Sequence, residues 1–254
     1  MGKDLEGKVA IVTGGGSGIG AAICREFAIQ GAAVAVVDRT ADAAASVAQE
    51  LSNAGAQAVA VEFDVTSSVE AMDAMVADVA SKIGDVTVLV NCAGIGGGRP
   101  TFLEASMEVW DTVHAINFRG AFFMMQRVAQ HMVGHGRGGS IINVTSAAGE
   151  VPWLKNAIYG PNKAGLKMAT GYAATDLGEY GIRVNNLCPG PTETPLTAEG
   201  YADPVLRHEL LSRTPLGRLG KPEDLAYGAV FLASDRSSYT TGSSLYVEGG
   251  RLVR

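Results

Sequence analysis

The chain has 254 residues, 47% hydrophobic and 18% charged, with 33 glycines, so it holds the apolar material for a sizeable core and is neither disordered nor collagen-like. Its 20 Lys+Arg and 26 Asp+Glu leave a net charge of −6, which offers no basic excess against a phosphate backbone and argues against nucleic acid as a partner. The opening MGKDLEGKVA lacks an apolar signal core and no apolar run approaches ~20 residues, so a cytoplasmic protein with no membrane partner is expected.

After Lys8 a short β-branched run, VAIVT, leads into Gly14-Gly15-Gly16-Ser17-Gly18-Ile19-Gly20 and then AAICREFAIQ, whose apolar spacing suits a helix stopped by Gly31. The pattern repeats: strands are expected at Ala33–Val37, Ala58–Phe63 and Val86–Val90, ending at Asp38, Asp64 and Asn91, with helices between them to about Ala54 and about Ile83. Each strand is nearly all apolar, as when both faces of a sheet are covered. A helical region follows between about Met107 and Val133, then a strand at Ser140–Thr145 and a helix from about Ile158 to Glu179. A strand at Ile182–Leu187, a polar Pro-rich stretch, a helix from Pro222 to about Ala233 and a strand near Ser244–Val247 complete the chain. No Pro/Ser-rich or charged linker divides it, so one domain is expected over 1–254, with a substrate loop at about 191–212. About seven strands joined by helices predict an α/β fold, a doubly wound parallel sheet with helices on both faces and ligands beyond its carboxyl ends.

The three cysteines, Cys24, Cys92 and Cys188, lie far apart without CxxC spacing and read as buried reduced thiols, with Cys188 the one expected near a site. His131 and His135 share a helix face close to Gly134 and Gly136, where a helix should end, and show no third ligand, so no metal is expected.

The glycine loop lets backbone approach a pyrophosphate at a helix start, where free N–H groups and the positive dipole end favour an anion. Asp38 ends the second strand eighteen residues after Gly20, placed to accept hydrogen bonds from an adenosine ribose and to repel a 2′-phosphate. Arg39 beside it is the residue that would favour that phosphate, but the glycine loop itself carries no Lys or Arg. NAD is therefore expected over NADP. Tyr159 and Lys163 are four apart, so they share a helix face where the ammonium is expected to lower the phenol's pKa and prepare it for proton transfer. Ser146 follows the strand ending at Thr145 and precedes Tyr159 by thirteen residues, so both converge on one crevice.

These segments together resemble the short-chain dehydrogenase/reductase family: TGGGSGIG at Thr13–Gly20, NCAG at Asn91–Gly94, Asn117, Ser146, Tyr159-Gly-Pro-Asn-Lys163 and CPGPTET at Cys188–Thr194. PLGRLGKPEDLAYGAVFLASD at Pro215–Asp235 and GSSLYVEGG at Gly242–Gly250 extend the likeness over nearly the whole chain. The resemblance implies a Rossmann-type sheet of seven parallel strands and a catalytic set of Asn117, Ser146, Tyr159 and Lys163. Tyr159 would exchange a proton with the substrate oxygen that Ser146 holds, Lys163 would assist the tyrosine and bind ribose, and Asn117 would hold a helix distortion and a relay water. It also implies cofactor contacts from Gly14, Ser17, Gly18, Ile19, Gly20, Asp38 and Arg39, from Asp64 and Val65 around adenine, and from Asn91, Ala93 and Gly94 along the ribose and central helix. Pro189, Gly190, Thr192 and Thr194 would lie near the nicotinamide amide and phosphates, and Tyr159 and Lys163 contact the cofactor as well.

Three departures stand out. Pro161 requires the helix to start very near Tyr159, Cys92 replaces the asparagine of NNAG, and Glu248 replaces the aspartate of a terminal DGG. The expected reaction is hydride transfer between NAD(H) and a secondary alcohol or ketone, in a pocket shaped by Ile95–Phe102, Ala147–Asn156 and Pro191–Ser212. Trp153 and Leu196 would give it apolar surface, while Arg99, Lys155 and Glu150 read as solvated charges. The alternatives are an NADPH-dependent 3-oxoacyl-carrier reductase, disfavoured by Asp38, and a nicotinamide-binding protein without turnover. The family likeness implies a homotetramer built on the long helices and the carboxyl-terminal region.

Overall fold

The computed structural model describes residues 3–253. Its strands are Val9–Thr13 (β1), Ala33–Asp38 (β2), Ala58–Glu62 (β3), Val88–Asn91 (β4), Gly139–Val144 (β5), Ile182–Pro189 (β6) and Ser244–Val247 (β7). All pair in parallel, in the order β3-β2-β1-β4-β5-β6-β7. The chain builds outward from β1 to β3 and then crosses to β4, so the order reverses between β1 and β4 and a crevice opens past their carboxyl ends.

Period-two alternation supplies two cores from the same strands. Ala10 and Val12 of β1 face one layer with Ile23 and Phe27 of helix α1 (Gly18–Ile29) and Val47 of α2 (Ala41–Asn53). Val9 and Ile11 face the other with Met72 and Val76 of α3 (Val69–Ile83). The predicted region from Met107 is helical but interrupted: α4 (Met107–His114) passes through a π-helical segment, Ala115–Gly120, into α5 (Ala121–His135), which Gly136 ends in a left-handed cap. α6 (Tyr159–Leu177) carries Pro161 in its first turn, where the missing N–H would have no helical partner.

Three expectations need correction. The Pro-rich stretch holds two helices, α7 (Ala198–Tyr201) and α8 (Pro204–Ser212); the Asp203-Pro204 pair marks the second, with the Asp203 carboxylate accepting from Val205 N at 2.9 Å. α9 (Pro222–Ala233) follows as expected. The edge strands β3 and β7 are only half-buried, because one flank of each has no neighbouring strand. Nor are the inner strands uniformly apolar. Asn91, Asn143, Asn186 and Ser244 stand in register across β4, β5, β6 and β7. Asn91 Nδ2 donates to Asn143 Oδ1 (2.9 Å), Asn143 Nδ2 to Thr170 Oγ1 of α6 (2.8 Å), and the Thr170 hydroxyl to Asn186 Oδ1 (2.7 Å). This buried ladder ties α6 to the sheet at a defined height.

Candidate active site

The carboxyl ends of the strands open into a cleft of about 1060 Å³. That exceeds the ~300–1,000 Å³ common for one small ligand, so it has room for a dinucleotide and a second reactant. Gly14, Ser17, Gly18, Ile19 and Gly20 form its floor. Gly14 takes a positive φ of 67°, and a Cβ there would lie 2.8 Å from Ala93 Cα, so the loop packs directly on the backbone after β4. Ser17 stands at the N-cap of α1 without a side-chain capping bond, leaving its hydroxyl and the first helical N–H groups available to an anion.

Asp38 closes one end. Its Oδ2 accepts from Gly16 N and its Oδ1 from Thr40 N, each at 3.0 Å, so the carboxylate is fixed between the glycine loop and α2. Arg39, Asp64 and Val65 line the same end. Asp64 Oδ1 accepts from Thr66 N (2.8 Å) and Thr66 Oγ1 (2.7 Å), and these bonds hold its carboxyl below the usual carboxylate range. Ala93, Gly94, Pro189, Gly190, Thr192 and Thr194 line the middle. Asn91 does not: its side chain turns inward to Asn143 and to Ala121 O of the central helix (3.1 Å).

The wall that carries Ser146, Tyr159 and Lys163 is built from β5 and α6. A Cβ at Gly160 would lie 3.0 Å from Ala148 O, so glycine permits the turn after β5 to press against the start of α6. This brings Ser146, whose Oγ accepts from Ala148 N at 3.1 Å, to the same wall of the cleft as Tyr159. Lys163 Nζ lies 5.7 Å from the Tyr159 ring centroid and donates to Val144 O at 2.8 Å. Asn117, fully buried in the π-helical segment, clamps Ile95 twice: Nδ2 donates to Ile95 O (2.8 Å) and Oδ1 accepts from Ile95 N (2.9 Å). The helix distortion implied by the resemblance is therefore present at Asn117. Its amide also borders Lys163, since a Cβ on Gly94 would lie 3.2 Å from Asn117 Oδ1 and 3.6 Å from Lys163 Nζ.

The expected lowering of the phenol's pKa does not occur in this structure. Burial pushes Tyr159 up to about 12 against the opposing influence of the Ser146 hydroxyl, and pushes Lys163 down to about 8. Lys163 is still mainly cationic at neutral pH, while Tyr159 holds its proton. The thiol near the site is Cys92, which lines the cleft and is pushed up to about 11 by burial; Cys188 is buried against Thr145. His131 and His135 bind the backbone of Val86.

Trp153, Leu196, Arg99 and Lys155 line the far end, the two cations solvent-exposed as expected, whereas Glu150 is half-buried and pairs with Lys167 at 2.5 Å. Sequence reading missed Tyr201 and Arg251, which reach the cleft from α7 and from the carboxyl-terminal turn. No helix among the described residues is long and apolar enough to cross a membrane.

Comparison with known proteins places this architecture. A family model described as enoyl-(acyl carrier protein) reductase matches residues 14–251. An L-rhamnose 1-dehydrogenase (NAD(P)(+)) from Sphingomonas sp. (strain SKA58) is 41% identical, covering 99% of this chain and 98% of its own. A 3β-hydroxysteroid dehydrogenase 1 from Eggerthella lenta is 38% identical, covering 98% and 95%. The crystal structure of a gluconate 5-dehydrogenase from Burkholderia cenocepacia J2315, in complex with NADP and tartrate, superposes with a TM-score of 0.94 at 34% identity, covering 98% and 97%. The chain belongs to the short-chain dehydrogenase/reductase family, as an NAD(P)-dependent oxidoreductase that transfers a hydride between nicotinamide and a secondary alcohol or ketone.

Proposed function

We infer that Tyr159 is the group that exchanges a proton with the substrate oxygen, and that NAD(H) is the preferred cofactor. The observation carrying the first reading is that Ser146, Tyr159 and Lys163 meet on one wall of the cleft floored by the glycine loop, with Lys163 Nζ 5.7 Å from the Tyr159 ring centroid. Ser146 orients the substrate oxygen beside the phenol, and Tyr159 protonates it in reduction or takes its proton in oxidation. Lys163 keeps a positive charge beside the ring at neutral pH, which favours the phenolate once oxidation calls for it. Asn117 holds Ile95 and the π-helical segment in place and so positions Lys163.

The residues fit a dinucleotide: the backbone-lined loop and uncapped helix start suit its pyrophosphate, and Asp38 retains lone pairs for a ribose hydroxyl. Gly14, Ser17, Gly18, Ile19 and Gly20 would hold it with Asp38, Arg39, Asp64, Val65, Ala93 and Gly94 at one side and Pro189, Gly190, Thr192 and Thr194 at the other. The hydride is the chemistry the cofactor supplies. Asp38 supports NAD over NADP through charge repulsion of a 2′-phosphate, against the attraction of Arg39.

Exposed Trp110, Phe122, Met168 and Tyr172 on α4, α5 and α6 support assembly into a homotetramer through these helices, testable as a fourfold mass in light scattering. Free cysteines support a cytoplasmic location. To test the reading, initial rates of nicotinamide reduction are measured with NAD and NADP on secondary alcohols, polyols and hydroxy acids. Turnover faster with NAD is expected; tighter binding of NADP(H) than NAD(H) would contradict the cofactor assignment.

A further inference from the structure

The far end of the cleft contains a cation that the proton-transfer chemistry leaves unused. Arg251 lies in the final turn, Arg251–Val253, and is only 8% exposed, yet it lines the cleft. Its guanidinium carbon is 4.6 Å from the centroid of the Trp153 ring, and Nη1 donates to Leu210 O at 3.3 Å. Among the described residues it makes no other hydrogen bond and has no carboxylate at ion-pair distance. Its remaining N–H donors are not sealed away, because the unpartnered side-chain atoms cut off from solvent are Asn91 Oδ1 and Glu150 Oε1.

Two carboxylates lie near Arg251 without pairing with it. Glu248, the departure from the family's aspartate, accepts from Gly250 N (3.1 Å) and Leu252 N (2.9 Å) and so fixes the turn that presents Arg251. Glu209 faces Arg213 at 3.9 Å. A buried cation without a counter-ion is unfavourable unless a ligand supplies one. A guanidinium that rests on an indole face without a carboxylate partner still has N–H donors to offer a bidentate oxyanion. Arg99 lines the same end, and Tyr201 feels the charge of both arginines.

We propose that the substrate is an anionic secondary alcohol, a hydroxy acid whose carboxylate seats on Arg251 while its hydroxyl is presented to Tyr159. This rests on the dehydrogenase reading and narrows it. Glu199 and Glu209 also line the cleft and disfavour a dianion, so the geometry suits a carboxylate better than a phosphate ester.

The test uses matched pairs on the wild-type protein with NAD: an aldonate against its alditol, 3-hydroxybutyrate against 3-hydroxybutyramide, and a polyol phosphate as a third arm. The acids are expected to exceed their neutral partners in kcat/KM by at least about tenfold, a preference that weakens with salt. Arg251→Met should lower kcat/KM for the acid about 100-fold, mainly through KM, with Arg251→Lys recovering part of the loss. NADH affinity measured alongside reports whether each variant is folded. The proposal is overturned if wild-type protein uses the neutral partners as well as the acids, or if Arg251→Met keeps the acid preference. A polyol phosphate outrunning both would assign a phosphate and overturn the carboxylate. No turnover of any pair, with either nicotinamide, would instead sink the dehydrogenase reading itself and the proposal with it.

Discussion

The two ends of the cleft are built on opposite principles. The end we assign to the cofactor is made largely of backbone at strand termini: the loop of β1, the fixed Asp38 carboxylate and the Ala93–Gly94 turn all hang from the central sheet. The substrate end is made of side chains on segments far apart in sequence, among them Trp153, Leu196, Tyr201 and Arg251. It is also where the sole non-glycine residue with positive φ among those described occurs, Lys155 at 58°. A shared sheet can thus keep one ligand site constant while loops and tail vary the other.

That contrast predicts that single substitutions at the cofactor end act through geometry and act strongly. Gly14→Ala adds a Cβ 2.8 Å from Ala93 Cα at a backbone conformation alanine rarely adopts. We expect NADH to bind about 100-fold or more weakly, roughly 3 kcal/mol, read by nicotinamide fluorescence. Leu154→Ala at the exposed far end should change NADH binding less than about threefold; equal effects at both sites would erase the distinction.

Next in size is an effect of pH on stability. Burial places the folded pKa of Lys163 at about 8 against an ordinary value of 10.5. Between those values the unfolded chain holds a proton the native state has released, so this group makes stability rise with pH, by up to about 1.4 kcal/mol per unit. Lys163→Met should remove that rise, in urea melts compared across the window. Identical pH slopes in the two proteins would show that the ammonium is well solvated.

Asp38→Ser should shift the NAD to NADP affinity ratio toward NADP by about tenfold or more (about 1.4 kcal/mol), measured as the two dissociation constants. Part of the effect comes from the N–H groups of Gly16 and Thr40 that the carboxylate now holds. An unchanged ratio would assign cofactor choice to other residues. Smallest is Thr170→Val, which cuts the ladder between Asn143 and Asn186. A loss of about 1–2 kcal/mol in stability is expected in urea melts, and no loss would mean that the ladder does not hold α6.

What the sequence disclosed follows the same division. The strand–loop–helix start, Asp38, Ser146 and the Tyr159–Lys163 pair were legible because local spacing alone sets their geometry. Pro161 even located the start of α6. Arg251 was not, since its approach to Trp153 depends on where the tail returns after β7, and no local period encodes that. The polar ladder escaped notice because asparagines on neighbouring strands are 52 and 43 positions apart and align only through register. The phenol's raised pKa was likewise invisible: helical spacing shows the nearby ammonium but not the burial that outweighs it.

The most direct test of the account compares Tyr159→Phe with wild-type protein in the rate of nicotinamide oxidation or reduction on the best substrate, with NADH affinity measured on both. The account predicts that the variant binds NADH within about threefold of wild type and loses kcat by about 100-fold or more. A variant that keeps most of its turnover would mean that the proton moves through another group, and Tyr159 would be only a wall of the cleft.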